Sequence, residues 1–229
     1  MKLTWLGHSA FHLGINGIDL LIDPFCTGNP KYPAGYEDRL AKVDVILVTH
    51  GHSDHIGDAA RLAQKYDATV VSQPEICAFI GRSGHKKFEQ MNTGGTVNAC
   101  GCAVSMVPAF HSSTIMENGV VAAVSDPIGF VVAGEGHAIY HAGDTGLFGD
   151  MALIQRIFQP DIGLIPIGDR YTMGPTTAAY ACNELLGLKT IVPMHWGTFP
   201  ALSGTPDVFK TLVKRGNVVV MTPGEPFEV

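Results

Sequence analysis

Residues 45–63 read VILVTHGHSDHIGDAARLA. The stretch opens as a continuous apolar run to Thr49, the pattern of a strand buried on both faces. From His55 the spacing turns helical, with Ile56, Ala60 and Ala63 on one side. A buried strand leading through a tight turn into a helix is the unit of a layered α/β fold. Within the turn stand His50, His52, Asp54 and His55, four ligand-type side chains in six residues. In an extended segment positions i and i+2 face the same way, so His50 and His52 can grip one ion. Asp54 and His55 lie where the chain bends into the helix and can hold a second ion. A helix N-cap accounts for an aspartate; it does not account for three histidines.

On the N-terminal side, KLTWLG (2–7), AFHLGI (10–15) and IDLLID (18–23) form a meander with glycine turns. Downstream, ATVVS (68–72) is a strand and PEICAFIGR (74–82) a short helix with proline near its start. Residues 86–133 are β-rich, with strands in KKFEQM, GTVNA, CAVSMVPAF, VVAAVS and IGFVVAG. Strands and helices then alternate: AIYHAG, helical LFGDMALIQRIF, IGLIPI, helical TTAAYACNELLG, TIVPM, helical PDVFKTLVKRG, and VVVMT as the last strand. Two halves, each β-rich and then α/β, predict two packed sheets with helices outside, in one domain spanning 1–229.

Composition narrows the function classes. Of 229 residues, 46% are hydrophobic and 16% charged, which excludes a disordered chain. The net charge of −6 argues against broad nucleic-acid or anionic-membrane binding. No apolar run approaches the roughly 18 residues of a spanning helix, and MKLTWLGHSAF lacks a signal-peptide core, so the expected location is the cytoplasm. The five cysteines are scattered and odd in number, which implies no disulfide framework. Cys100-Gly101-Cys102 reads as a tight turn before a strand.

A metal needs more than two ligands. His111 follows CAVSMVPAF, Asp144 follows AIYHAG, and His195 follows TIVPM, each a histidine or aspartate at the end of an apolar strand. With the first cluster they make five histidines and two aspartates. THGHSDH resembles the H-x-H-x-D-H signature of the metallo-β-lactamase superfamily, and the order His111, Asp144, His195 matches as well. WLGHSAF, IDPF, HAGDTG, PIGDRYTMGP and PMHWGTFP resemble the metal-dependent hydrolase group that is similar to ascorbate-6-phosphate lactonase. This resemblance, over nearly the whole chain, implies an αββα four-layer sandwich with metals at one edge between the sheets. It implies that His50, His52 and His111 hold one metal, that Asp54, His55 and His195 hold another, and that Asp144 bridges them. An all-His/Asp set suits two Zn2+ ions, with Mn2+ or Fe as alternatives.

Two ions about 3.5–4 Å apart can share a water and lower its pKa, so that the bridging hydroxide attacks a small ester, lactone or phosphoester. Asp54 and Asp144 then serve catalysis directly. Asp23 is expected to accept a proton from the far nitrogen of a ligand histidine. His8, between two early strands, is a candidate proton donor or substrate contact. Asp169, Arg170 and Tyr171, in PIGDRYTMGP, form the expected substrate loop, where Arg170 can fork onto a carboxylate or phosphate. The expected partner is therefore a small, anionic molecule, with neither nucleic acid nor membrane; a homo-oligomer stays open. Two other readings compete: a phosphodiesterase or nuclease on the same site, and a non-catalytic metal-binding scaffold.

Overall fold

The computed structural model describes residues 1–229. The first sheet is built from β1 (Lys2–Trp5), β2 (Phe11–Ile15), β3 (Ile18–Ile22), β4 (Val45–Leu47), β5 (Thr69–Ser72) and β6 (Phe88–Gln90). β1 to β3 pair antiparallel; β3 to β6 pair parallel. The second sheet holds β7 (Thr96–Ala99) and β8 (Cys102–Pro108), and then, after a ribbon of β9 (Thr114–Glu117) and β10 (Val120–Val124), β11 (Ile128–Gly134), β12 (His137–His141), β13 (Ile162–Pro166), β14 (Thr190–Met194) and β15 (Asn217–Val218). It repeats the plan of the first, antiparallel through β12 and parallel from there on. The closing strand β16 (Pro226–Glu228) returns to the first sheet beside β1.

Helices cover both outer faces. α1 (Ser53–Ile56), α2 (Ala59–Tyr66) and α3 (Pro74–Gly81) belong to the first half. α4 (Met151–Phe158), α5 (Pro175–Tyr180), which runs on through a π-turn over Ala181–Leu185, and α6 (Pro206–Leu212) belong to the second. The central core joins both sheets: Leu3, Phe11, Leu13 and Leu20 from one pack with Val104, Phe130, Ile139 and Leu164 from the other. Separate apolar layers lie beneath each helical face. This is the αββα sandwich expected from the sequence. None of the helices is long and apolar enough to cross a membrane.

Four details differ from the sequence expectation. The helix over 55–66 is two helices, because Gly57 adopts φ 39° and ψ −120°. A Cβ there would meet the Pro24 carbonyl at 2.6 Å, so the break lets the turn pack on the segment after β3. The strand before His111 ends at Pro108, which places His111 in a loop. The strand at 114–117 has no periodic signal of its own and exists through pairing with β10. VVVMT pairs only at Val218; the chain then swings back, Gly224 N–H bonding the Trp5 carbonyl, and delivers β16 to β1.

Candidate metal centre

Parallel sheets place functional groups at the carboxyl ends of their strands. Asp23 follows β3, His50 follows β4, Asp144 follows β12, the 169–171 loop follows β13 and His195 follows β14. Several of these loops turn within one residue. His8, Asp23 and His195 have φ of 56°, 46° and 55°, a left-handed conformation that non-glycine residues enter only when their surroundings demand it.

The seven predicted ligands converge. Three sets of side chains have donor atoms all within 4.8 Å of one another: His50, His52 and His111; His8, Asp54, His55 and His195; and His50, His55 and Asp144. Asp144 reaches toward both sides of the cluster. One oxygen lies 3.0 Å from His195 Nε2 and 3.5 Å from His111 Nε2; the other lies 3.3 Å from His55 Nε2. His55 Nε2 and Asp144 Oδ1 are buried and have no hydrogen-bond partner. Buried polar atoms are seldom left unpaired. Two that face each other among imidazoles and carboxylates fit a cation, and the His/Asp donor set suits a divalent one.

The first-sheet ligands are held from behind. Asp23 is fully buried, and its Oδ2 accepts both His55 Nδ1–H at 2.8 Å and the Thr49 hydroxyl at 2.7 Å. Thr49 N–H bonds the other oxygen at 2.8 Å. Because the Thr49 hydroxyl spends its proton on Asp23, its oxygen accepts from His50 Nδ1–H at 3.0 Å. With Nδ1 of His55 tied to Asp23 and Nδ1 of His50 tied to Thr49, the Nε2 atoms of both rings are turned toward the cluster. The sequence pointed to Asp23. It gave no sign of Thr49, since a threonine at a strand end has no distinctive spacing.

His8 is fully buried. Its Nε2 meets Asp54 Oδ2 at 3.1 Å and its Nδ1 meets Thr198 Oγ1 at 2.9 Å. His141, also buried, bonds the Ser9 carbonyl at 2.9 Å and accepts Gly143 N–H at 3.1 Å, which spends both ring nitrogens on structure. Cys100 and Gly101 make a left-handed turn, and all five cysteines are free.

A family description, the beta-lactamase superfamily domain, matches residues 19–196. A UPF0173 metal-dependent hydrolase of Methanopyrus kandleri is 45% identical over 232 residues that cover the whole of both chains. The chain belongs to the metal-dependent hydrolases of the metallo-β-lactamase superfamily. A second such relative, from Agrobacterium fabrum, is 45% identical over 97% of each chain. The metallo hydrolase Igni18 of Ignicoccus hospitalis superposes with a TM-score of 0.84 at 38% identity, over 100% of this chain and 98% of its own. An isothiocyanate hydrolase from Delia radicum gut bacteria has a TM-score of 0.77 at 22% identity, over 100% and 99%, a likeness of fold alone.

Burial sets the protonation of this superfamily member's centre. It pushes His50 well below the usual imidazole value and lowers His52 and His111, so these rings are neutral and ready to ligate. Burial brings His8 down to about 4, although Asp54 opposes it. For Asp54 burial acts the other way, but His8 and His55 outweigh it and hold the carboxyl below its ordinary value. His55 is the exception. Burial opposes its charge, yet Asp144 and Asp23 together raise it well above the normal range. Asp144 is held well down, against burial, by His195 and His55.

A cleft of about 350 Å3 opens over the cluster, with His52, Asp54, His111, Asp144 and His195 at its floor and Tyr171, Phe199 and Leu202 on its wall. Of the three predicted substrate residues, Tyr171 reaches this wall. Arg170 is exposed outside it, its guanidinium 5.6 Å from the Tyr171 ring centre. Asp169 is exposed and lies 3.5 Å from the Ser203 hydroxyl. Neither lysine nor arginine lines the cleft.

Proposed function

We propose that this chain hydrolyses a small ester, lactone or phosphoester with two divalent cations, zinc being the best match to an all-His/Asp set. The observation that carries the reading is the shared ligand cluster, above all the unpaired His55 Nε2 and Asp144 Oδ1 facing each other at 3.3 Å. His50, His52 and His111 would hold one cation, Asp54, His55 and His195 the other, with Asp144 between them. Bound there, the cations supply Lewis acidity toward the substrate's carbonyl or phosphoryl oxygen and make water acidic enough to attack near neutral pH.

The protein's own groups supply order. His8 stays neutral and holds its proton at Nε2, donated to Asp54, while Nδ1 accepts from Thr198. On this reading His8 stands behind Asp54 as a positioning residue. Tyr171 meets the substrate at the wall; Asp169 and Arg170 shape its loop. Residues from both sheets meet at one centre, which supports reading 1–229 as one functional domain. Five free thiols support a reducing compartment, the cytoplasm.

The test is a screen of zinc- and manganese-loaded protein against lactones, carboxyl esters, thioesters, phosphomonoesters and phosphodiesters, with Asp144→Ala as the blank. Elemental analysis after desalting should find about two ions per chain, as a two-metal site requires. Metal content near zero after loading would overturn the reading.

A further inference from the structure

A second cavity, about 340 Å3, lies on the far side of the metal turn and shares His52 and Asp54 with the catalytic cleft. Its walls are Ile56 of α1, Phe79 of α3, and Ile115 and Met116 of the β9–β10 ribbon. No lysine or arginine lines it, and its only titratable side chains are the shared His52 and Asp54.

The ribbon is fixed in place. Gly51 leaves room for it: a Cβ at that position would lie 2.6 Å from Ile115 Cγ1. Gly51 N–H bonds Ser113 Oγ at 3.0 Å, and Ser113 bonds Ser125 across the base of the ribbon at 2.6 Å. At the tip, Glu117 pairs with Arg82, just beyond α3, at 2.8 Å. Between these two anchors Met116 is 58% exposed, and its cross-strand partner Val121 is 57% exposed. Met116 of this exposed apolar pair lines the cavity beside the candidate reaction centre.

We propose that this groove receives an uncharged, apolar arm of the substrate while the scissile group sits over the His52–Asp54 edge. The proposal rests on the hydrolase reading above and adds the substrate class: a neutral molecule with an alkyl or aryl arm. Continuity through His52 and Asp54 ties the groove to the centre, and a groove without lysine or arginine offers a charged arm no side chain to pair with. Met116 and Phe79 are thereby specificity residues.

Alkyl hydroxamates, which chelate metals without being hydrolysed, provide the test. Calorimetric titration of zinc-loaded protein with acetyl, butanoyl, hexanoyl and octanoyl hydroxamate should show affinity rising about threefold to fourfold per methylene, the gain for a buried CH2. A carboxylate-ended analogue of the longest member should lose that gain. Met116→Lys, at an exposed position that tolerates charge, should flatten the octanoyl-to-acetyl ratio, and Met116→Leu should keep it. A flat series in the wild type overturns the groove assignment and leaves the hydrolase reading standing. A slope that survives Met116→Lys and disappears in Leu202→Lys moves the arm to the catalytic cleft and also overturns it. A self-association equilibrium that Met116→Lys abolishes would give the ribbon to a second copy of the chain. Failure of every hydroxamate to bind would bring down the metal reading, and this proposal with it.

Discussion

The two sheets bring candidate ligands to one cleft by different means. The first sheet contributes one continuous turn, backed by a proton chain in which Asp23 accepts from His55 directly and from His50 by way of Thr49. The second contributes His111, Asp144 and His195 from three separate loops, and there the polar support is thin. His195 Nδ1 and Asp144 Oδ1 are buried without partners. Tight backbone turns take over, His195 N–H bonding the His8 carbonyl at 3.0 Å in a left-handed residue. The difference is one of support: the first-sheet ligands are backed by a proton chain, whereas on the proposed reading the second-sheet ligands would complete their polar contacts on binding metal.

Asp144 carries the largest expected effect, because its two carboxylate oxygens approach ligands of both sets. Asp144→Asn keeps the shape and removes the charge. Turnover on any substrate the screen finds should fall roughly a hundredfold to a thousandfold, the range for loss of one preorganised electrostatic group. Metal content should drop from two ions toward one, since His50, His52 and His111 remain. Full activity with both ions retained would take Asp144 out of the centre and leave the two halves independent.

Asp23 and Thr49 sharpen the contrast within the preorganised half. Asp23→Asn disturbs His55 and His50 together and should lower affinity at both positions by about tenfold to a hundredfold, as loss of an outer-sphere partner does. Thr49→Val is nearly isosteric and cuts only the branch to His50, so the loss should be confined to one position, and Thr49→Ser should restore it. Stepwise chelator competition on the cobalt-substituted protein resolves the two affinities. Equal losses at both positions in Thr49→Val would disprove the branched chain.

Stripping the metals tests the order directly. Binding at a hundred times Kd contributes about 2.7 kcal/mol, and a domain of this size shifts by about 2–4 °C per kcal/mol. Chelation should therefore lower Tm by roughly 5–11 °C on those two scales. Amide exchange should quicken around residues 143–146 and 194–198 far more than around 47–52. Uniform quickening would erase the distinction between the halves.

The same contrast governed how much could be read from sequence. His50 to His55 sit within one run, so spacing alone announced them. His111, Asp144 and His195 are tens of residues apart; each is an ordinary residue beyond a strand, and only the resemblance to a family joined them. Thr49 and Thr198 act through single hydrogen bonds that leave no periodicity. Arg170 looked well placed beside a helix start, but the left-handed turn at Asp169 and Arg170 leaves both exposed and gives the wall to Tyr171. The layers were legible because buried strands and amphipathic helices differ in period. The β16 return was not, because three residues against an edge are fixed by pairing with β1.

The smallest expected effect lies at the outer anchor of the first half. Asp58, just before α2, accepts Cys26 N–H at 3.0 Å, Thr27 N–H at 2.7 Å and the Thr27 hydroxyl at 2.8 Å, tying the helix to the loop after Asp23. Arg61 links Asp58 to Glu37 with bonds of 3.0, 2.9 and 2.8 Å. Arg61, helped by Lys65, brings the Glu37 carboxyl down to about 2. Asp58 is lowered too: burial opposes this, and the Thr27 and Arg61 bonds overcome it. A folded-state value below the unfolded one means stability that is present above the ordinary carboxylate range and lost as pH falls through the folded value. The stability difference between wild type and Arg61→Ala, measured by urea unfolding in chelator, should thus be full above about pH 5 and shrink toward pH 2. Arg61 is half-exposed and water screens its pairs, so the full difference should stay under about 1 kcal/mol and fade in molar salt. A difference that grows as the solution is acidified would reverse the sign and show that the anchor acts through something other than its charges.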